Sequence, residues 1–169
     1  DDVAGRIDNL EMTVVVLPDS GLVGETQVKT GEGTECADLS FKGEPFAASS
    51  RLVLRKAIED WAELGFTPKV GIELEAYLME PDGAGGWQPF DTPNTYVYGT
   101  GPMAEPTGLI DEIMVTAEAC DVPVEAVNSE FDFPQFELTL EYGDALGVAD
   151  DIFLFKEMVR ELAYKRGLL

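Results

Sequence analysis

An α+β fold with a largely antiparallel sheet is the class this sequence predicts, and three observations predict it. Segments of strand and helix character follow one another in the order β-β-α-β-loop-α-β-β-α, not in strict β-α alternation. The strand-like runs are closed by Pro- and Gly-marked turns. The helix-like runs each carry a single apolar stripe at three- and four-residue spacing.

The elements can be justified in order. Met12-Thr13-Val14-Val15-Val16-Leu17 is a β-branched run stopped by Pro18-Asp19, hence a strand and a turn. Cys36 to Phe41 alternates weakly and ends at Lys42-Gly43-Glu44-Pro45, a second strand and turn. Residues 1–46 therefore read as the tail of a small β-rich unit, and residues 47–169 as a separate domain. From Ser50 a helix is expected, with Leu54, Ala57, Ile58, Trp61 and Leu64 on one face and Gly65 as a left-handed cap. Lys69 to Met79 reads as a strand, closed by Pro81-Asp82-Gly83-Ala84-Gly85-Gly86. Trp87 to Pro102 has no clear period and reads as a long loop or irregular hairpin, a kind of segment that often carries function. A second helix is predicted from Thr107 to Cys120, with Ile110, Ile113, Met114 and Ala117 inward. Val122 to Val127 and Gln135 to Tyr142 read as strands, with Pro134 just before the second. The last helix runs from about Asp144 to Arg166 on a stripe of Ala149, Ile152, Phe155, Val159, Leu162 and Ala163. Gly167-Leu168-Leu169 looks like the start of another strand.

Composition bounds the function. The chain has 169 residues, 45% of them hydrophobic, which rules out disorder by composition. No apolar run approaches the roughly 20 residues a membrane helix needs. Asp1-Asp2-Val3 has no secretory pattern, and two distant cysteines make no disulfide framework. The expectation is a reduced, soluble, cytoplasmic protein. A net charge of −22 leaves no basic stripe for nucleic acid and disfavours an anionic membrane surface. The charge is also unevenly placed. Between Lys69 and Lys156, 86 residues contain 18 acids and not one Lys or Arg. Those carboxylates must be solvated, be protonated, meet bases from elsewhere, or bind cations. A solvated acidic surface is the plain explanation; specific spacings argue for more.

Glu73 and Glu75 stand at i and i+2 of a strand, so both project from one face while Ile72, Leu74 and Ala76 point into a core. Like charges so close repel unless water or a cation separates them. Glu130 and Glu137 are seven apart, on opposite faces of a straight strand, but a bend at Pro134 would turn both toward one site, with Gln135 beside Glu137. Glu125 adds a fifth acid. Such an oxygen-only trough suits Mg²⁺ or Mn²⁺. The absence of His excludes Ser-His-Asp and Cys-His arrangements within this chain, and makes a zinc site very improbable. No Gly-rich phosphate loop is present, and Glu73 with Glu75 is a poor guide to a glycosidase. Phe131, Phe133 and Phe136 read as core, as does Cys120.

Four stretches together resemble the glutamine synthetase family: Val16-Leu17-Pro18-Asp19; Gly43-Glu44-Pro45-Phe46 through Arg51-Leu52-Val53-Leu54; Gly71-Ile72-Glu73-Leu74-Glu75-Ala76-Tyr77-Leu78; and Val124-Glu125, Glu130 and Gln135-Phe136-Glu137, followed by Ala149-Asp150-Asp151. The resemblance implies the end of a β-grasp N-terminal domain at 1–46 and the first half of the family's catalytic domain at 47–169. It implies an ATP-dependent ligase joining ammonia or a small amine to the γ-carboxylate of glutamate through a γ-glutamyl phosphate. Glu75, Glu130 and Glu137 would hold the metal nearer glutamate, Glu73 the metal that assists phosphoryl transfer, and Glu125 would lie beside the nucleotide. Family members act as ring-shaped homo-oligomers. Two departures bear on the substrate. Val127-Asn128-Ser129 stands where a His usually precedes the Glu, and Pro134-Gln135-Phe136-Glu137 replaces Gly-Gln-x-Glu, which allows another amine or another acid. The family continues beyond the position of Leu169 into further ligands, so a fragment inactive by itself is expected. The alternative is a non-catalytic acidic domain that binds divalent cations or a partner on the same scaffold.

Overall fold

The structure, a computed structural model, describes residues 22–24, 36, 38–41, 44–92, 97–99, 101–132 and 134–169. The predicted strand at 12–17 and the turn at Pro18-Asp19 lie outside the described residues. The chain divides into two compact units: residues 1–69 with 144–150, and residues 70–143 with 151–169.

The first unit contains a three-stranded antiparallel sheet of β1 (Leu22–Gly24), β2 (Leu39–Phe41) and β3 (Glu44–Pro45), in that order. Glu44 and Pro45, expected in a turn, pair with Phe41 and Ser40 instead. Helix α1 (Ser50–Glu63) follows. Its extended N-cap Ser49 is buried, and Gly65 takes a φ of +82°, the left-handed backbone expected after the helix end. The predicted apolar face is only partly covered: α1 has no fully buried residue, Leu54 and Ile58 are half-buried, and Trp61 and Leu64 are exposed. Trp61 instead packs edge-on against Phe66.

Arg51 organises this unit. Its Nε and Nη2 donate to the two carboxylate oxygens of Asp150 at 3.0 and 2.9 Å, and its Nη1 and Arg55 both reach Asp38. The hydrogen bond to Asp150, with Asp38 adding to it, raises the guanidinium pKa above its ordinary value. Both partners of the Arg51–Asp150 pair keep under a quarter of their side-chain surface exposed, so the pair is poorly screened. Arg51→Met will lower stability by about 1.5–3 kcal/mol, the range for hydrogen bonds to charged groups, in urea unfolding. Added to Asp150→Asn it will cost less, since only the contact to Asp38 then remains to be lost.

The second unit holds a sheet in the order β4-β8-β7, formed by β4 (Lys69–Tyr77), β7 (Val124–Ser129) and β8 (Gln135–Asp144). β7 and β8 form an antiparallel hairpin with Asn128 opposite Glu137. Leu78 N donates to Pro134 O beyond one end of β4, and Gly71 meets Tyr142 near the other, so β4 also runs antiparallel to β8. The predicted strand 69–79 is interrupted at Leu78, after which β5 (Met79–Pro81) pairs with β6 (Trp87–Pro89). The start of the Trp87–Pro102 segment is thus a hairpin strand, and residues 93–96 and 100 lie outside the described residues. Asp82 Oδ1 closes the β5–β6 turn by accepting from Ala84 N and Gly86 N, which holds its carboxyl below the usual carboxylate range.

Helices α2 (Leu109–Ala119) and α3 (Ala145–Lys165) follow the predicted pattern. The core gathers Ile113 and Ala117 of α2, Leu138 and Leu140 of β8, and Phe155 and Leu162 of α3. Leu168 is buried there as well, and Leu169 exchanges both backbone hydrogen bonds with Met79, as a strand would. Two expectations fail. Cys120 is exposed where α2 ends, and Phe131 is 79% exposed at the tip of the β7–β8 hairpin. Phe136 packs against the core as expected; Phe133 lies outside the described residues. Periodicity could not separate Phe131 from its neighbour because the tip belongs to neither strand. Among the described residues no helix is long and apolar enough to cross a membrane.

Candidate metal and substrate site

Alternation along β4 leaves Glu73, Glu75 and Tyr77 exposed and Ile72, Leu74 and Ala76 half-buried, the arrangement the Glu-x-Glu spacing predicts. Gln135 Nε2 donates to Glu75 Oε2 at 2.7 Å, so this face of β4 continues onto β8. Glu137 and Thr139 share Gln135's face, and the Thr139 hydroxyl donates to Glu137 Oε1 at 3.0 Å. The pairs Asn128–Glu137 and Ala126–Thr139 extend the face to β7. Opposite it lie Leu138 and Leu140, each 1% exposed. One side of the sheet is core, and the other carries carboxylates.

Glu130 joins this face by a hairpin, not by the bend expected at Pro134. Glu130 N donates to Gln135 O and Gln135 N to Asp132 O, which folds the chain back so that Glu130 stands beside the start of β8. Its Oε1 accepts from Asn128 Nδ2 at 3.4 Å. Glu125 behaves differently. It sits exposed where the β7–β8 register shifts between Val124 and Ala126, and among the described residues no hydrogen bond joins it to the other four. Four of the five glutamates are therefore on or beside one sheet face. They are not drawn into a tight cluster: among the described residues, no three Asp, Glu, His or Cys side chains stand close enough to hold a metal ion. Side-chain amides of Gln135 and Asn128 supply the partial positive charge that Glu75 and Glu130 meet instead.

The donor chemistry fits a hard divalent cation. It is oxygen-only, and the bases that do meet acids of the Lys- and Arg-free segment go elsewhere: Arg51 to Asp150, Lys69 to Asp144 and Arg166 to Glu112. Tyr77 and Asp132 were not singled out by sequence, although Tyr77 lies two residues beyond Glu75 and so on its face. The Tyr77 hydroxyl donates to Asp132 Oδ2 at 2.8 Å, which pushes the phenol's pKa up because the bond requires the proton. A raised folded pKa means that this stabilisation is present below the ordinary value of about 10 and is lost as pH rises through the raised one. In an absorbance titration of tyrosinate, Tyr77→Phe will remove a late-ionising step, and Asp132→Asn will move that step to lower pH.

Residues 47–169 match the sequence model of the glutamine synthetase catalytic domain. The chain belongs to the glutamine synthetase family. It is 33% identical over 158 residues to a glutamine synthetase of Rhizobium meliloti, covering 90% of this chain and 35% of that one. It is 27% identical to a glutamate–isopropylamine ligase of a Pseudomonas species, covering 99% of this chain and 40% of that one. Solved structures of GmaS, one without ligand and one with ADP, superpose with a TM-score of 0.67 at 31% identity, covering 78% of this chain and 31% of theirs. The chain thus spans about two-fifths or less of the length of these relatives. Its mixed helices and antiparallel sheet are those of the glutamine synthetase catalytic domain.

Proposed function

We propose that this chain is the front part of an ATP-dependent ligase that joins glutamate, or a similar acid, to ammonia or a small amine through a γ-glutamyl phosphate. The observation that carries this reading is the shared face of Glu73, Glu75 and Glu137, with Glu130 folded in beside it, in a family whose named relatives include both a glutamine synthetase and a glutamate–amine ligase. Glu75, Glu130 and Glu137 are assigned to one Mg²⁺ or Mn²⁺, and Glu73 to a second. Bound there, the cations would neutralise phosphate charge and orient transfer between two anions. Glu125, apart from the others, is assigned to the nucleotide side; GmaS has been solved with ADP. Within the chain, Gln135 and Asn128 hold two carboxylates in place by their amides, and Tyr77 ties the end of β4 to the hairpin turn at Asp132. Residues 1–46 are assigned to the end of a β-grasp domain, the rest to the catalytic domain, and the complete protein to a cytoplasmic ring of identical subunits. A non-catalytic cation-binding domain is the second reading, favoured by the untightened carboxylates.

Titration with Mn²⁺ or Mg²⁺ tests the site. Saturation at about a hundred times the dissociation constant will stabilise the chain by about 2.7 kcal/mol, seen as a higher melting temperature. Glu130→Gln will weaken that response. No response in either protein would remove the metal assignment. Phosphate release from ATP that requires both glutamate and an amine, in a protein carrying this segment, separates the ligase from the second reading.

A further inference from the structure

Asp82-Gly83 is the one Asp-Gly pair in the chain, and Asn-Gly does not occur. Such a pair carries a chemistry of its own. Glycine has no Cβ to shield its amide, so Gly83 N can attack the side-chain carboxyl carbon of Asp82. A C–N bond forms, the C–OH bond breaks, and the hydroxyl leaves as water with the amide proton. The product is a cyclic succinimide. Water then opens the ring at either carbonyl, giving back aspartate or leaving isoaspartate, whose main chain runs through the former side chain. The neutral carboxyl is the reactive form, because a carboxylate is a poor acceptor of a nucleophile.

The β5–β6 turn opposes this reaction. Its strands close at the Pro81–Trp87 pair, and Asp82 N donates to Gly86 O at 3.1 Å. Within the loop, Asp82 Oδ1 accepts from Ala84 N at 2.7 Å and from Gly86 N at 2.8 Å. Both donors favour the charged carboxylate and fix its direction, so the neutral, rotated carboxyl is populated only when they are released. Gly86 keeps room for this arrangement: a Cβ there would stand 2.6 Å from Asp82 Oδ2. We infer that Asp82-Gly83 is a masked modification site, which forms isoaspartate when the β5–β6 turn opens and is protected while the turn is closed. Isoaspartate makes the main chain one carbon longer and the side chain one carbon shorter. The donors of Ala84 and Gly86 then no longer meet the carboxylate as before, and the mark outlasts the opening.

The test incubates the chain in mildly acidic buffer, folded or in guanidinium chloride, and follows isoaspartate at Asp82 by peptide mapping with mass spectrometry. Two hydrogen bonds, even at the low end of their net worth, make the released form about fivefold rarer. The folded chain will therefore accumulate isoaspartate at least about fivefold more slowly than the unfolded one. Gly86→Ala leaves the Asp-Gly pair intact but crowds the carboxylate out of its seat. It will raise the folded rate toward the unfolded one and leave the unfolded rate unchanged, with melting curves showing that both proteins are folded during incubation. Equal rates in the folded and unfolded parent, a folded Gly86→Ala rate no higher than the parent's, or no isoaspartate at this pair in the unfolded chain would each overturn the inference.

Discussion

In a protein that carries this segment and releases phosphate in the presence of glutamate and an amine, Glu75→Gln will lower the rate by about 10²–10³-fold. That is the size of effect seen when one group stabilising transition-state charge is removed. The substitution is nearly isosteric and sits on the exposed face of β4, so folding is spared. What changes is one unit of negative charge on a face where Glu73 and Glu137 also stand. In the isolated chain without metal, the same change relieves like-charge repulsion and will leave stability unchanged or slightly raised. The two measurements together are diagnostic: loss of rate without loss of stability marks a carboxylate kept for function. Gln135→Ala, which removes the 2.7 Å amide contact to Glu75, will give a smaller loss of about 10–100-fold, in keeping with a group that only positions a ligand. Equal rates for Glu75→Gln and the parent protein would remove Glu75 from the proposed machinery.

Phe155→Ala will have the largest effect on stability. The ring is 0% exposed, in a core shared with Ile113, Leu138 and Leu140. Truncation removes its transfer free energy and leaves a cavity that neighbours on strand and helix can close only in part. The expected cost is about 3–5 kcal/mol by urea unfolding with an unchanged slope. For a domain of ordinary stability, about 5–15 kcal/mol, that is enough to leave it marginal. Phe131→Ala supplies the contrast. The same residue type, 79% exposed on the hairpin tip, will change stability by less than about 0.5 kcal/mol. A large loss at Phe131 would mean that this ring is covered in solution.

Local pattern was enough to define much of the molecule. The Glu73–Glu75 face of β4 was legible because strand side chains alternate whatever the strand pairs with. The stripe of α3 that delivers Phe155 and Leu162 to the core was legible because helical period is a local property. Gly65 announced its cap because a positive φ is costly for other residues. Where two elements met, the sequence was silent or misleading. It offered a bend at Pro134, whereas the chain closes a hairpin there, a difference made by the hydrogen bonds from Glu130 N to Gln135 O and from Gln135 N to Asp132 O that no periodicity records. It assigned Phe131 to the core by residue type and Cys120 by its place on a helix's apolar face, but tip and helix-end positions place them in water.

The order of residues alone determined which carboxylates share a strand face, where the helices lie, and that an 86-residue stretch brings no bases of its own. Only the tertiary structure decided that β8 lies between β4 and β7, which sets Gln135 on Glu75, Asn128 opposite Glu137 and Tyr77 on Asp132. The physical reason is that alternation and helical period depend on bonds between near neighbours. The meeting of residues 60 positions apart depends on which strands pair, and that is chosen by burial summed over the whole core.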